Sequence, residues 1–423
     1  MNINALLKGV NCDCSKHHTC NIKKVYIEQG AISHLQEICE KYNKILIVAD
    51  ENTFGAAGQK VIDVLGEKIA DKVIFSGKTV LIPDEKAIDA VNSHLEGIDY
   101  ILAVGSGVIQ DLCKCVSFFS HIPYADVATA PSMDGYASDG AAMILKGMKE
   151  TVKAGLPEAI IADTDVLKDA PIEMIKAGYG DIIGKYSALC DWELSYLVNG
   201  EYFCKYIYDT TYEMIEKTLK VADSLLKRDA ESIRILMEAL VVVGIMMSFA
   251  GSSRPASGSE HHLSHFFEIT GIVNGEDYFC HGIDVAYSTV ITTKIRENIL
   301  NRQFAKESFC LSEEDYKAVM NRVYKSVSAE CMSLQEKVGN YKKDRSGIYN
   351  AKEKEIRALF EKMPSSQEIL KMLEKAELDI NEFYNLYGKD KIRDAVLYAK
   401  DLKDRYTVLW MNYDMFGTDT ANY

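Results

Sequence analysis

Apolar and polar positions change their period partway along the chain. Up to Asp163, short apolar runs alternate with segments of helical spacing. Lys44–Ala49, which ends at Asp50, Lys72–Phe75, Tyr100–Val104, Ala125–Ala128 and Ala159–Asp163 are runs of strand length with little polar interruption. Such runs read as parallel strands buried on both faces. Between them, Glu85–Leu95 sets Ile88, Val91 and Leu95 on one helical face. This alternation predicts a parallel sheet with right-handed crossovers.

Beyond Ala170 the three- and four-residue spacing of a helix takes over. Tyr212–Leu226, Ala230–Ala250, Gly282–Ile299, Glu313–Val338, Ser366–Ala376, Ile380–Tyr387 and Ile392–Leu402 are the predicted helices. Lys342–Lys354 is charged and reads as a solvated connection. The change of texture near 164–172 predicts an α/β domain over 1–168 and an all-α domain over 169–423. The most apolar run, Ala239–Ala250, is too short to cross a bilayer and reads as a buried helix, so no membrane span is expected.

Composition narrows the function classes. A chain of 423 residues with 48% hydrophobic content has material for two cores. A net charge of −14, with no basic block, argues against a nucleic-acid partner. Eleven scattered cysteines, and no long apolar stretch in Met1–Val10, point to reduced thiols in a cytoplasmic protein.

The densest chemistry is Gly258-Ser259-Glu260-His261-His262-Leu263-Ser264-His265, followed by His281-Gly282. Four of the chain's nine histidines fall here. On a helix His261 and His265 face the same side, one turn apart. Imidazoles are the commonest protein ligands for divalent transition metals, and a catalytic metal usually takes three protein ligands. Asp181, in Gly180-Asp181-Ile182-Ile183-Gly184-Lys185, is the upstream candidate for a third. The alternative is a set of hydrogen-bonded histidines near a helix end.

Two loops read as ligand-binding. Ile101–Val104 runs into Gly105-Ser106-Gly107-Val108-Ile109-Gln110-Asp111, a strand, glycine turn and helix start that can cradle a pyrophosphate on backbone amides. Asp50, at the end of a strand, can accept a hydrogen bond from an adenosine ribose or cap a helix. Thr129-Ala130-Pro131-Ser132-Met133-Asp134-Gly135-Tyr136-Ala137-Ser138 is small and polar, on the carboxyl side of a strand where ligands of parallel sheets bind. Nearer the N-terminus, Cys12, Cys14, His17, His18 and Cys20 concentrate five potential metal ligands. A structural zinc or an adventitious metal is one reading; because the spacing is not that of a zinc finger, thiols on a flexible N-terminal arm are the preferred one.

Together these pieces resemble the sn-glycerol-1-phosphate dehydrogenases, within the superfamily of iron-containing alcohol dehydrogenases, glycerol dehydrogenase and dehydroquinate synthase. The motifs are Thr129–Ser138, Gly180-Asp181 with Lys185, Asp191-Trp192-Glu193-Leu194, and Ser257-Gly258-Ser259-Glu260-His261 with Ser264-His265. The resemblance covers about Asp50 to His281 and, more loosely, the helical remainder, and by length the bacterial branch is nearest. The resemblance implies a Rossmann-like α/β nucleotide-binding domain and an all-α metal-binding domain of dehydroquinate synthase type. It implies reduction of dihydroxyacetone phosphate to sn-glycerol 1-phosphate with NAD(P)H, in a homodimer. By position it makes Asp181, His261 and His281 the metal ligands. His265 and Asp134 would face substrate, with Lys185 and, more loosely, Arg254 as candidates for its phosphate. Asp50, Gly105, Gly107, Val108, Ile109, Gln110, Asp111, Thr129, Ser132 and Ser138 would line the cofactor. Lys185 stands where some iron-dependent relatives carry a histidine, which leaves a three-ligand site for zinc or nickel, with iron the third candidate. A glycerol or polyol dehydrogenase, a dehydroquinate synthase-like lyase, and a protein that binds nucleotide and metal without turnover are the alternatives on the same scaffold.

Overall fold

Residues 1–145 and 148–419 are described in the structure, a computed structural model. The chain divides into two compact units, Met1–Ile182 with Glu213–Ser253, and Ile183–Tyr212 with Arg254–Tyr423. The change of sequence texture put a division at residue 168. By packing, the first unit runs on to Ile182 and takes back the segment 213–253.

The first unit is built on a parallel sheet. Its strands are β1 (Lys24–Glu28), β2 (Ile45–Asp50), β3 (Ile69–Phe75), β4 (Tyr100–Gly105), β5 (Tyr124–Ala128) and, after a hairpin, β8 (Ala159–Asp163). Their order is β1-β8-β5-β4-β2-β3, every pairing parallel. The apolar runs become strands because both faces are covered. Ile45, Ile47, Ala49, Leu102 and Val104 enter one core cluster, and Leu46, Val48, Ile101 and Ala103 enter the other. Each fully buried aliphatic side chain contributes about 1.5–3 kcal/mol. β1 escapes the hydrophobic pattern because charged Lys24 and Glu28 bound it and only Val25 is buried. The hairpin of β6 (Gly140–Leu145) and β7 (Met148–Lys153) was likewise not predicted, its strands alternating small, charged and apolar residues.

Helix α1 (Glu85–Asn92) starts at the N-cap Asp84, whose side chain accepts from the Ala87 N–H. Helix α2 (Gly107–Ser120) leaves β4, and α3 (Ile172–Asn199) carries the chain across the division after Ile182. Helix α4 (Lys205–Leu225) follows, then α5 (Ala230–Ala250), whose N-cap Asp229 accepts from Ser232 N–H and which stops at left-handed Gly251. Among the described residues α5 is the one helix long and apolar enough to cross a membrane. Its most apolar window is 83% buried within the protein, as expected of a core helix.

Among the described residues, the regular elements of the second unit are all helices. Helix α6 (Ser259–Asn274) packs against α7 (His281–Leu300). Within Ile380–Tyr398 two helices follow one another, as predicted, separated at Gly388, whose φ of 67° and ψ of 165° are not helical. The stretch read as a solvated connection is instead structured. Arg345 is buried and donates to the Asp414 carboxylate at 3.0 Å, and Tyr349 donates to the same group at 2.6 Å. Lys342, Lys343, Asp344 and Lys354 are exposed, but Arg345 looked solvated only because its buried partner lies far along the chain.

Candidate functional site

In the first unit the glycine turn has the expected form. β4 ends at Gly105 and α2 begins at Gly107, with an N-cap Ser106 whose side chain makes no capping bond. The amides of Gly107, Val108 and Ile109 are therefore first-turn donors with no helical partner, the arrangement that receives a phosphate. Gln110 is fully buried, and its Nε2 donates to the carbonyls of Ala103 at 3.2 Å and Gly105 at 2.9 Å. Its side chain thus braces the turn from behind. Asp50 caps the next helix by accepting from Thr53 N–H at 2.8 Å.

The 129–138 loop is tied to this turn at several points. Thr129 N–H donates to Gly105 O at 3.1 Å. Lys114, buried on α2, donates to the carbonyls of Gly135 at 2.8 Å and Gly140 at 3.0 Å, and pairs with Asp111 at 3.1 Å. Tyr136 donates to Ala130 O at 2.6 Å, and Ser138 to Gly135 O at 3.2 Å. Burial pushes the Tyr136 hydroxyl above its ordinary range. The loop also meets α3: Asp134 N–H donates to an Asp181 carboxylate oxygen at 3.0 Å. That approach needs glycine at 178, where any Cβ would strike the Pro131 carbonyl. No local pattern marks Lys114 as organising the loop, since a lone lysine on a helix is usually solvated.

In the second unit α6 and α7 bring three of the predicted histidines together. Ring centroids lie 4.9 Å apart for His261 and His281, 5.4 Å for His265 and His281, and 6.1 Å for His261 and His265. His261 and His265 are buried, and His281 opens α7. Each of the two proposed ligands has its Nδ1 occupied. His261 Nδ1 lies 2.7 Å from Glu260 Oε1, which also accepts from Gly258 N–H at 2.7 Å. His281 Nδ1 lies 3.3 Å from Ser264 Oγ. A histidine held at one ring nitrogen presents the other as a donor, which is how metal-binding imidazoles are oriented. Glu260 was missed as an orienting group, although it immediately precedes His261. Burial raises its carboxyl pKa, partly offset by the Gly258 N–H and by the charge of Lys185. The fourth histidine, His262, is fully buried, and burial drives its pKa well below the ordinary value, so it is a neutral core group.

The start of α6 is held from below. Asp191 accepts from Ser259 N–H at 2.6 Å and Val408 N–H at 2.9 Å, and pairs with Arg296 at 2.8 Å. Gly258 is required here, because a Cβ would lie 2.7 Å from the Asp191 carboxylate and 2.8 Å from Ala188 Cα. Lys185 is fully buried and donates to Ala256 O at 3.0 Å, fixing the turn that precedes α6. Arg254 forks onto Glu201, at 2.7 Å and 2.5 Å, and donates to Tyr406 O at 2.7 Å. Its guanidinium is occupied by the fold, which removes it as a candidate for substrate phosphate. Asp181 is fully buried on α3, one turn before Lys185 on the same helix.

Comparison with known proteins points one way. The family model described as iron-containing alcohol dehydrogenase matches residues 26–171. The chain is 31% identical over 415 residues to the glycerol-1-phosphate dehydrogenase (NAD(P)+) of Bacillus licheniformis, covering 94% of this chain and 90% of that protein. It is 31% identical over 384 residues to the enzyme of the same name from Geobacillus thermodenitrificans, covering 88% and 87%. Among solved structures, it is similar to the iron-containing alcohol dehydrogenase of Thermococcus thioreducens. That match has a TM-score of 0.62 at 13% identity, covers 91% of this chain and 92% of that one, and shows the shared fold.

Proposed function

The chain belongs to the glycerol-1-phosphate dehydrogenase family, and on that premise we propose that it reduces dihydroxyacetone phosphate to sn-glycerol 1-phosphate with NAD(P)H. The observation that carries the reading is the triad of His261, His265 and His281, whose rings lie close together and in which His261 and His281 are each oriented through Nδ1. With Asp181 they make a carboxylate and two imidazoles, a donor set that suits zinc, nickel or iron. The residues therefore fit the metal that the family implies. Supporting Asp181 is the continuity of α3, in which Lys185, one turn on, and Gly184 are packed beside α6 and α7.

Asp181, His261 and His281 would hold the metal, which would supply Lewis-acid polarisation of a ketone, and a bound nicotinamide would supply the hydride. The chain's own residues do the rest. Glu260 and Ser264 orient the two ligand imidazoles. His265, one turn beyond His261, holds the substrate and passes a proton to the developing alkoxide. Asp134 faces the substrate while its backbone N–H fixes the loop to Asp181. Lys185 adds a buried positive charge that favours an anionic substrate. The first-turn amides of α2 hold the cofactor pyrophosphate, Thr129, Ser132 and Ser138 flank the nicotinamide, and Asp50 meets the ribose. Cytoplasmic residence and a homodimer complete the proposal. The eleven cysteines, with no disulfide among the described residues, support the first.

The test is NADH oxidation with dihydroxyacetone phosphate by metal-stripped protein reloaded separately with zinc, nickel and iron. Metal-dependent turnover to sn-glycerol 1-phosphate, abolished in His261→Ala, is the expected result. Equal activity on glycerol, or NADH binding without turnover under any metal, would overturn it.

A further inference from the structure

A second group of metal-ligating side chains lies in the first unit, apart from the nucleotide turn. Cys12 Sγ is 3.0 Å from Cys14 Sγ, and His18 Nε2 is 3.1 Å and 3.2 Å from these two sulfurs. The sequence reading preferred thiols on an N-terminal arm to a structural zinc, because the spacing fits no familiar finger and closure depends on distant residues. An antiparallel bridge between Val10 and His18 shuts the loop at its base, with Val10 N–H donating to His18 O at 3.1 Å. Lys16 Nζ donates to Ala250 O at 2.8 Å, which pins the loop to the end of α5.

His18 is fully buried and oriented from behind. Its Nδ1 lies 3.1 Å from the Phe249 carbonyl, and its ring stacks on the Phe249 ring at 5.3 Å and 18°. A carbonyl only accepts, so Nδ1 carries the proton and Nε2 presents its lone pair to both sulfurs. Carbonyl-backed imidazoles of this kind are the usual partners of a metal ion. Three lone-pair donors converge on one point, and the two thiol protons can bridge at most two of the three close pairs. A shared cation satisfies all three at once.

We propose that Cys12, Cys14 and His18 hold a structural zinc-type ion that fastens the N-terminal segment to the end of α5. Two thiolates and an imidazole suit a soft divalent ion, and a structural zinc commonly takes four ligands, of which these supply three. The site takes no part in hydride transfer.

The test uses full-length His261→Ala protein, in which the catalytic ligand set is broken, so retained metal reports on this second site. The protein is loaded with zinc under reducing conditions, dialysed against a chelator and assayed for metal by mass spectrometry. About one equivalent of zinc per chain should remain, and it should be lost when Cys12→Ser and Cys14→Ser are added. Cobalt loading should give a near-ultraviolet thiolate-to-metal absorbance that the same substitutions remove. If that variant fails to fold, alkylation of the otherwise unaltered thiols serves: zinc should protect Cys12 and Cys14. No retained zinc, or alkylation at one rate with and without zinc, would overturn the proposal.

Discussion

The backbone N–H of Asp134 donates to the carboxylate of Asp181 across 3.0 Å, joining the proposed substrate loop to the proposed ligand. One side chain thus has two tasks, and substitution can separate them. Asp181→Asn keeps an oxygen that accepts from Asp134 but removes the charge. It should leave the melting temperature near wild type and lower both metal content and kcat/KM, the latter by about a thousandfold. Asp181→Ala removes the acceptor as well and should also loosen the loop, read as faster proteolysis within 129–138. An Asn variant with full metal content would remove Asp181 from the ligand set.

Glu260 should act through His261. It fixes the imidazole by accepting at 2.7 Å, and an orienting partner of this type is worth about 10–100-fold in metal affinity. Glu260→Gln should raise the metal dissociation constant within that range, and excess metal should restore much of the turnover. Turnover that stays low at saturating metal would mean that Glu260 does more than orient.

A third expectation concerns stability. Asp191 and Arg296 are both buried, and Asp191 also holds the first turn of α6 and the start of the C-terminal helix at Val408. Removing one partner of a buried pair strands the other, at a cost of about 3–5 kcal/mol. Asp191→Ala should lose about that much in denaturant unfolding and should displace the histidine cluster. Asp191→Ala with Arg296→Met should recover part of the loss. A double variant no more stable than the single would show that the backbone capping bonds, not the ion pair, dominate.

Much of this architecture was legible in the sequence, for identifiable reasons. β2 and β4 were readable because parallel strands buried on both faces carry unbroken apolar runs. His261, His265 and His281 were readable because histidine is scarce elsewhere and two of them share a helical period. Lys114, Arg254, Arg345 and His18 were misread or overlooked for one shared reason. Each is a polar group buried by partners far away in the chain, and local pattern contains no record of such partners. The division at Gly388 was legible, because a glycine between two periodic stretches reads as a break, and its φ of 67° and ψ of 165° are not helical.

Asp126 offers a pH-dependent test within the sheet. It lies on β5, is fully buried, and neither carboxylate oxygen has a hydrogen-bond partner among the described residues. Burial raises its pKa well above the ordinary 3.8, with the positive charge of Lys114 opposing the shift by a smaller amount. The folded protein therefore keeps a proton that the unfolded chain releases near 3.8. Its contribution to stability is complete below that pH and declines as pH rises toward the folded-state value. Asp126→Asn has no proton to lose. The variant should gain on wild type by on the order of 1 kcal/mol or more between about pH 4 and pH 8. Urea unfolding at several pH values reads the gap directly, and a gap independent of pH would mean that Asp126 is ionised in the folded protein.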